Sequence, residues 1–348
     1  MKLKRILSVF MSALIGVFAL TACAGPSNTQ TAGTEALANS AESNATEPET
    51  AEETEPQFTV GKIGVTYVKS PLNVPSIVEK EKGIFNEAFS KYGLKVEYSN
   101  LTSGPEQTQA LASGDIQFLY AVGATSVILS AANDADIKII STYSRSPEAF
   151  RLFTGKDSTI QTAQDLKGKK IAGPKGTILH ELLAAYLASA GMSEKDVEFV
   201  SMGIPDAQAA LAGGTVDCAL LAGPVAYNME KDGYRIVTSG KGLVDAVIVV
   251  ATSNEFYEKN PLLVKTFLEA QDNVQDYMNR NPEEILDITA KETELTIDAV
   301  KEMFPMYDFN PEITDDDIAS MKKTQQFMRE NGMIETEVNI DDLILRVK

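Results

Sequence analysis

The sequence predicts an α/β protein built from two related halves, each a mostly parallel sheet flanked by helices. Three observations carry this. First, "ALASGDIQFLYAVGA" at Ala110–Ala124 aligns without a gap on "ALAGGTVDCALLAGP" at Ala210–Pro224, with Ala110/Ala210, Leu111/Leu211, Ala112/Ala212, Gly114/Gly214 and Gly123/Gly223 identical. Second, short apolar runs alternate with segments of helical period, the pattern of parallel strands joined through right-handed crossovers. Third, the apolar run "DAVIVVATS" (245–253) has no counterpart in the repeat and is expected to carry the chain back into the first half.

Taken in order, "KIGVTY" (62–67) reads as a strand. After the turn "SPLNVP", Val74–Lys82 reads as a helix. Strands follow at 95–99, 116–121 and 136–143, with helices at 106–112 and 125–131 between them. The rhythm restarts after Phe150 with strands at 169–173, 197–200, 217–222 and 234–238, and helices at 177–190, 206–211 and 224–231. "VEYS" at Val96 and "VEFV" at Val197 extend the repeat backwards with one residue inserted. Helices are expected at 255–257, 262–279, 282–293, 297–303 and 315–329, with Pro261 and Pro282 suited to first-turn positions. Each repeated unit ends with a Gly at the carboxyl end of a buried strand. Ligands of open parallel sheets bind there, where helix starts expose unpaired N–H groups.

The N-terminus is read separately. Lys2, Lys4 and Arg5 precede an apolar run, Ile6–Leu20, that is short for a membrane span and fits a secretory signal. "LTAC" at Leu20–Cys23 resembles the lipobox of bacterial lipoproteins, which implies lipidation at Cys23; an ordinary signal peptide cut nearby is the alternative. Ala24–Gln57 holds seven Glu and no Lys or Arg, with few large apolar residues, and is expected to be a disordered acidic tether. Loss of the three basic residues takes the net charge from −18 to −21, which argues against nucleic acid or anionic lipid as partners. With Cys23 spent on the anchor, Cys218 is left alone, so no disulfide framework is expected. A single His, His180, rules out a His/Cys metal cluster.

The phrases "DLKGKKIAGPKGT" (165–177), "ALAGGTVDCALLAGP" (210–224) and "SGDIQFLYAVG" (113–123) give the chain from Phe58 to about Met333 a further likeness. It resembles solute-binding lipoproteins of ABC transporters, in the group with alkanesulfonate-, taurine- and nitrate-binding proteins and the NMT1/THI5-like binders of thiamine precursors. The resemblance implies a two-lobed periplasmic-binding-protein fold of the second type. Lobe 1 would be 58–149 plus 244–348 and lobe 2 150–243, with a hinge near Phe150 and Val244. It implies a monomer that closes on a small solute and docks on a membrane permease, with no cofactor.

In the expected cleft, "GPKGTILHELL" starts a helix whose N–H groups suit an anion. Lys175, Gly176 and Thr177 are the candidates there, although Thr177 could merely cap its helix. Gly123 and Thr125 supply the matching rim, Asn73 a donor after the first strand, and Tyr143 an aromatic. Asp206 reads as a helix cap that could meet an amine, and His180 as a solvated surface residue. Many relatives carry an acidic or aromatic residue before Pro224; here it is Gly223, which weakens transfer of any one ligand. The first reading is a binder of a sulfonate or taurine-like anion, and the second a binder of a pyrimidine or related heterocycle. A THI5-like enzyme or a ligand-sensing receptor is the alternative of another class. One His and one internal Cys offer no cluster of the kind THI5-like chemistry uses.

Overall fold

A computed structural model describes residues 57–347; the expected signal, Cys23 and most of the tether lie outside them. The chain runs through β1 (Ile63–Thr66), α1 (Val74–Lys82), α2 (Ile84–Ser90), β2 (Val96–Ser99), α3 (Gly104–Ala112), β3 (Leu119–Gly123), α4 (Ala124–Ala131) and β4 (Lys138–Arg145). It continues as β5 (Phe150–Thr154), β6 (Lys170–Gly173), α5 (Ile178–Ala188), β7 (Glu198–Ser201), α6 (Ile204–Ala212), β8 (Cys218–Ala222), α7 (Gly223–Lys231) and β9 (Arg235–Ser239). Then come β10 (Val247–Thr252), α8 (Asn254–Lys259), α9 (Pro261–Arg280), α10 (Pro282–Thr293), α11 (Ile297–Met303), α12 (Asp315–Glu330) and α13 (Ile340–Leu343).

The strands fall into two sheets of the same plan. One is ordered β7-β6-β8-β5-β9. The other comprises β1-β2 and β3-β10-β4, joined where Val65 bridges Phe118 and the Phe118 N–H donates to Gly64 at 3.1 Å. Its order is therefore β2-β1-β3-β10-β4. In each sheet the first three strands are parallel and the fourth, β5 or β10, runs antiparallel to both neighbours. The repeat thus places β3 and β8 at the same central position. Their apolar runs are buried, as strands covered on both faces should be.

The two antiparallel strands are where the chain changes sheets. A 3₁₀ turn at Pro147–Ala149 leads from β4 into β5, and residues 240–246 lead from β9 back into β10. These crossings pack on each other: a Cβ on Gly240 would sit 2.4 Å from the Pro147 carbonyl oxygen. "DAVIVVATS" does return to the first sheet. By contrast, "FRLFT" at β5 is a strand that the sequence reading passed over, as it did α2 and α13. The pairing that makes β5 a strand lies with Leu220 and Thr238, far along the chain.

Around the first sheet, α9 buries Leu263, Val264, Phe267, Ala270, Val274 and Met278, the three- and four-residue spacing of one helical face. Phe267 stacks on Phe118 with centroids 4.0 Å apart and meets Phe85 and Tyr120 edge-on or tilted. Truncating such a ring costs about 3–5 kcal/mol. This aromatic packing ties the late helices to β3.

Candidate solute site

All six strand-to-helix turns at the carboxyl ends of the sheets converge on one cavity of about 300 Å³. Val68–Pro71 follow β1, Asn100 and Thr102–Gly104 follow β2, and Gly123 and Ser126 follow β3. Across from them, Pro174 and Thr177–Leu179 follow β6, Gly203–Pro205 follow β7, and Ala222 and Val225 follow β8. Phe150 and Ile248, from the two sheet-changing strands, complete the wall. The volume suits a small organic molecule.

Most of the helices that start at this cavity lack a side-chain cap. Five of the six, α1, α4, α5, α6 and α7, have no side-chain hydrogen bond at their N-caps; only α3 is closed, by a Ser103–Glu106 capping box. Away from the cavity, α8, α11, α12 and α13 are capped by side chains, whereas α2, α9 and α10 are not. The first N–H groups of a helix have no intrahelical partner, so an uncapped start leaves them available. The exception is α1, since Pro75 has no N–H and the Ser76 N–H donates to the Tyr143 hydroxyl at 3.1 Å.

Thr177 occupies the N-cap of α5, as the sequence suggests, but its hydroxyl does not cap. It donates to the Pro174 carbonyl at 2.8 Å, bracing the turn and leaving the helix start open to the cavity. Gly123 also lines the cavity. Gly223 lies beside the lining residue Ala222 and packs against Pro71 from the opposite wall.

The remaining candidates have other employment. Lys175 and Gly176 line an adjoining hollow rather than this cavity. The Gly176 N–H is already taken, by His180 Nδ1 at 3.3 Å. Asn73 is buried and donates to the carbonyls of Val68 and Ser70 at 2.9 and 3.0 Å, so it builds its own turn. Thr125 donates to Glu181, and the Tyr143 hydroxyl is bonded to Ser76 in the core. Asp206 is exposed in the first turn of α6; the N-cap is Gly203, so Asp206 favours the helix through the dipole and not as its cap.

His180 is the clearest departure from expectation. It is buried, stacked on Phe199 at 4.8 Å, with Nε2 3.0 Å from Glu194. Because an N–H from Gly176 points at Nδ1, the ring proton sits on Nε2 and faces Glu194. Burial holds the imidazole below its ordinary pKa, against the pull of Glu194. A helical residue four beyond a turn Gly was the available signal, since that spacing brings the side chain back over the turn.

Sequence reasoning also missed the polar lining of the β1 and β2 turns: Lys69, Ser70, Asn100, Thr102, Ser103 and Gln107. Lys69 is the one charged side chain among the lining residues, and it is paired with Glu292 at 3.0 Å. Short polar residues between a strand and a helix were the signal. The opposite wall is largely apolar, with Phe150, Ile178, Leu179, Ile204 and Val225, and Ile248 of β10 adds an apolar group from the first sheet.

A family model described as NMT1/THI5 like matches residues 71–285. The chain belongs to that family. A Bacillus subtilis protein named for the binding of aliphatic sulfonates is 27% identical over 286 residues, covering 81% of this chain and 85% of the relative. The taurine-binding periplasmic protein of Escherichia coli is 30% identical over 194 residues, 55% of this chain and 60% of that one. Among solved structures, the alkanesulfonate-binding protein SsuA of Xanthomonas axonopodis pv. citri, bound to MOPS, superposes with a TM-score of 0.75 at 20% identity, covering 82% of this chain and 99% of that one. The NMT1/THI5-like chain therefore has the two-lobed periplasmic-binding-protein fold. A structure titled desulfurization enzyme DSZB shares the fold, with a TM-score of 0.62 at 18% identity over 82% of this chain and 97% of that one. The fold alone does not separate binder from enzyme.

Proposed function

We propose that this protein is the solute-binding component of an ABC importer, carried outside the membrane on a lipidated Cys23, and that its solute is a small sulfonate with an apolar tail. The lobes are 58–149 plus 244–348 and 150–243, hinged near Phe150 and Val244, and they close on the solute before docking on the permease. The observation that carries this reading is the convergence of six strand-to-helix turns, five with uncapped helix starts, on one cavity. Open N–H groups at Thr177 and the start of α5 suit the sulfonate oxygens, which only accept hydrogen bonds. The apolar wall suits a short alkyl tail.

No Asp or Glu is among the lining residues. The ammonium of taurine would lose its hydration there without an anionic partner, so an unsubstituted alkanesulfonate should bind more tightly. Support for a binder over an enzyme comes from the two candidate nucleophilic or basic groups. His180 is neutral and engaged. Cys218 is buried in β8, and burial pushes its thiol up to about 12, where it carries almost no thiolate at neutral pH.

A thermal-shift series tests the reading. Ethanesulfonate should raise the melting temperature more than taurine does, with nitrate and an aminopyrimidine weaker still. No response to any sulfonate, or recovery of a chemically altered compound, contradicts it.

A further inference from the structure

Glu181 sits on α5 next to His180, yet it does not line the cavity. Its carboxylate is buried and accepts two hydrogen bonds, from Thr125 on α4 at 2.5 Å and from Thr324 on α12 at 2.9 Å. The helix that carries it packs in the second sheet's half, while both threonines belong to helices on the first. A neighbouring bond makes the same crossing: Ser126 Oγ donates to the Gly176 carbonyl at 2.8 Å. These contacts lie behind the start of α5, so they exist only while the halves are together.

We propose that Glu181, Thr125 and Thr324 form a latch that fastens the two halves over the cavity, so that Glu181 sets how long a solute is held without touching it. The inference rests on the binding reading above and deepens it. Burying a carboxylate is costly unless charge-assisted hydrogen bonds replace its water. Closure removes that water and supplies two hydroxyls in its place; opening returns the water. The two terms oppose each other, so the fastening can be released. Asp245 adds to the cost of closure: it stands near enough to disfavour the Glu181 charge, while its own carboxylate accepts from Ser320 Oγ at 2.7 Å. Burial pushes the Glu181 carboxyl above its ordinary range, consistent with so spare a set of partners. Removing one hydroxyl penalises the closed arrangement alone. The apparent affinity then falls with the closed fraction, although every residue around the solute is intact.

The test uses Thr324→Val and Thr125→Val, alone and together, in the full chain, with ethanesulfonate as the probe. Each threonine is hydrogen-bonded to the Glu181 carboxyl from the other half, so each variant should raise the dissociation rate about fivefold or more. Association rate and melting temperature should change little. Spin labels on Asn133→Cys and Lys195→Cys, exposed positions on the two halves, should report longer separations in the unliganded variants than in the unsubstituted chain. Unchanged dissociation rates with unchanged separations overturn the latch. If the unsubstituted chain binds no sulfonate, the proposed function fails alone. The latch is then judged by the separations, and an unliganded chain whose distances ignore both substitutions overturns it.

Discussion

Gly123 and Gly223 stand at the same point of the two halves, at the carboxyl ends of β3 and β8, and the structure uses them differently. Gly123 has an ordinary extended backbone, φ −64° and ψ 134°, and a Cβ there would meet only the flexible Ile178 side chain, at 3.2 Å. Gly223 has φ +63°, and a Cβ there would sit 1.8 Å from the Pro71 carbonyl oxygen. Both positions inherit the same topology. Only the second sets main chain against main chain across the cavity, in a conformation that side chains resist. Identity within a repeat therefore records a shared architecture, not a shared task.

The strongest way to break that comparison is Gly223→Ala. The methyl group cannot be accommodated without parting the halves, so sulfonate affinity should fall by ~100-fold or more, about 3 kcal/mol, in calorimetry. Affinity within a few-fold of the original would mean that the Pro71 contact is not needed for binding.

A second contrast lies in two buried glutamates, on the helices after β1 and β6, which hold equivalent places in the two sheets. Glu181 on α5 reaches across to the other half. Glu79 on α1 is satisfied at home, accepting from the Tyr98 hydroxyl at 2.7 Å and the Phe85 N–H at 3.1 Å. Burial raises its pKa to about 7, opposed by those two bonds and by Lys80. Because the folded value exceeds the ordinary carboxyl value, folding takes up a proton. The contribution of Glu79 to stability is greatest below about pH 4.5 and declines as pH rises through about 7, by roughly 3 kcal/mol. Glu79→Gln should flatten that part of the stability–pH profile while leaving the solute dissociation rate alone. A pH profile identical to the original would contradict the assignment.

Thr177→Asp sharpens the comparison of the two rims. It puts a negative charge at the α5 start, and an anionic solute should lose about 2 kcal/mol, some 30-fold, whereas Thr177→Ser should retain the brace to Pro174 and most of the affinity. The smallest effect belongs to Gly123→Ala: the Ile178 tip can give way, and affinity should stay within about threefold. A loss as large as that of Gly223→Ala would erase the distinction between the two glycines.

Most of the architecture was legible because it rests on local pattern. The helix limits Val74–Lys82 and Pro282–Thr293 follow from proline and apolar spacing alone. β5 was not legible, since its neighbours in the sheet are remote in sequence. In the site, the helix start at Thr177 and the rim glycine Gly123 were readable from strand–glycine–helix phrasing. Asn73, Thr125 and His180 were not, because whether a polar side chain faces the cavity, its own turn or the other half depends on how the turns and helices pack, which residue type and spacing do not specify. The turns after β1 and β2 carried the missing lining in short polar residues whose direction no periodicity specifies.

The central claim is that both halves grip one anionic solute in the cavity they share. A crystal structure grown with ethanesulfonate tests it most directly. The account predicts sulfonate oxygens within hydrogen-bonding distance of the backbone N–H groups at Thr177 and the start of α5, the ethyl group against Phe150 and Ile248, and Gly223 still packed on Pro71. Ethanesulfonate ordered elsewhere, or a cavity left without it at saturating concentration, would contradict it.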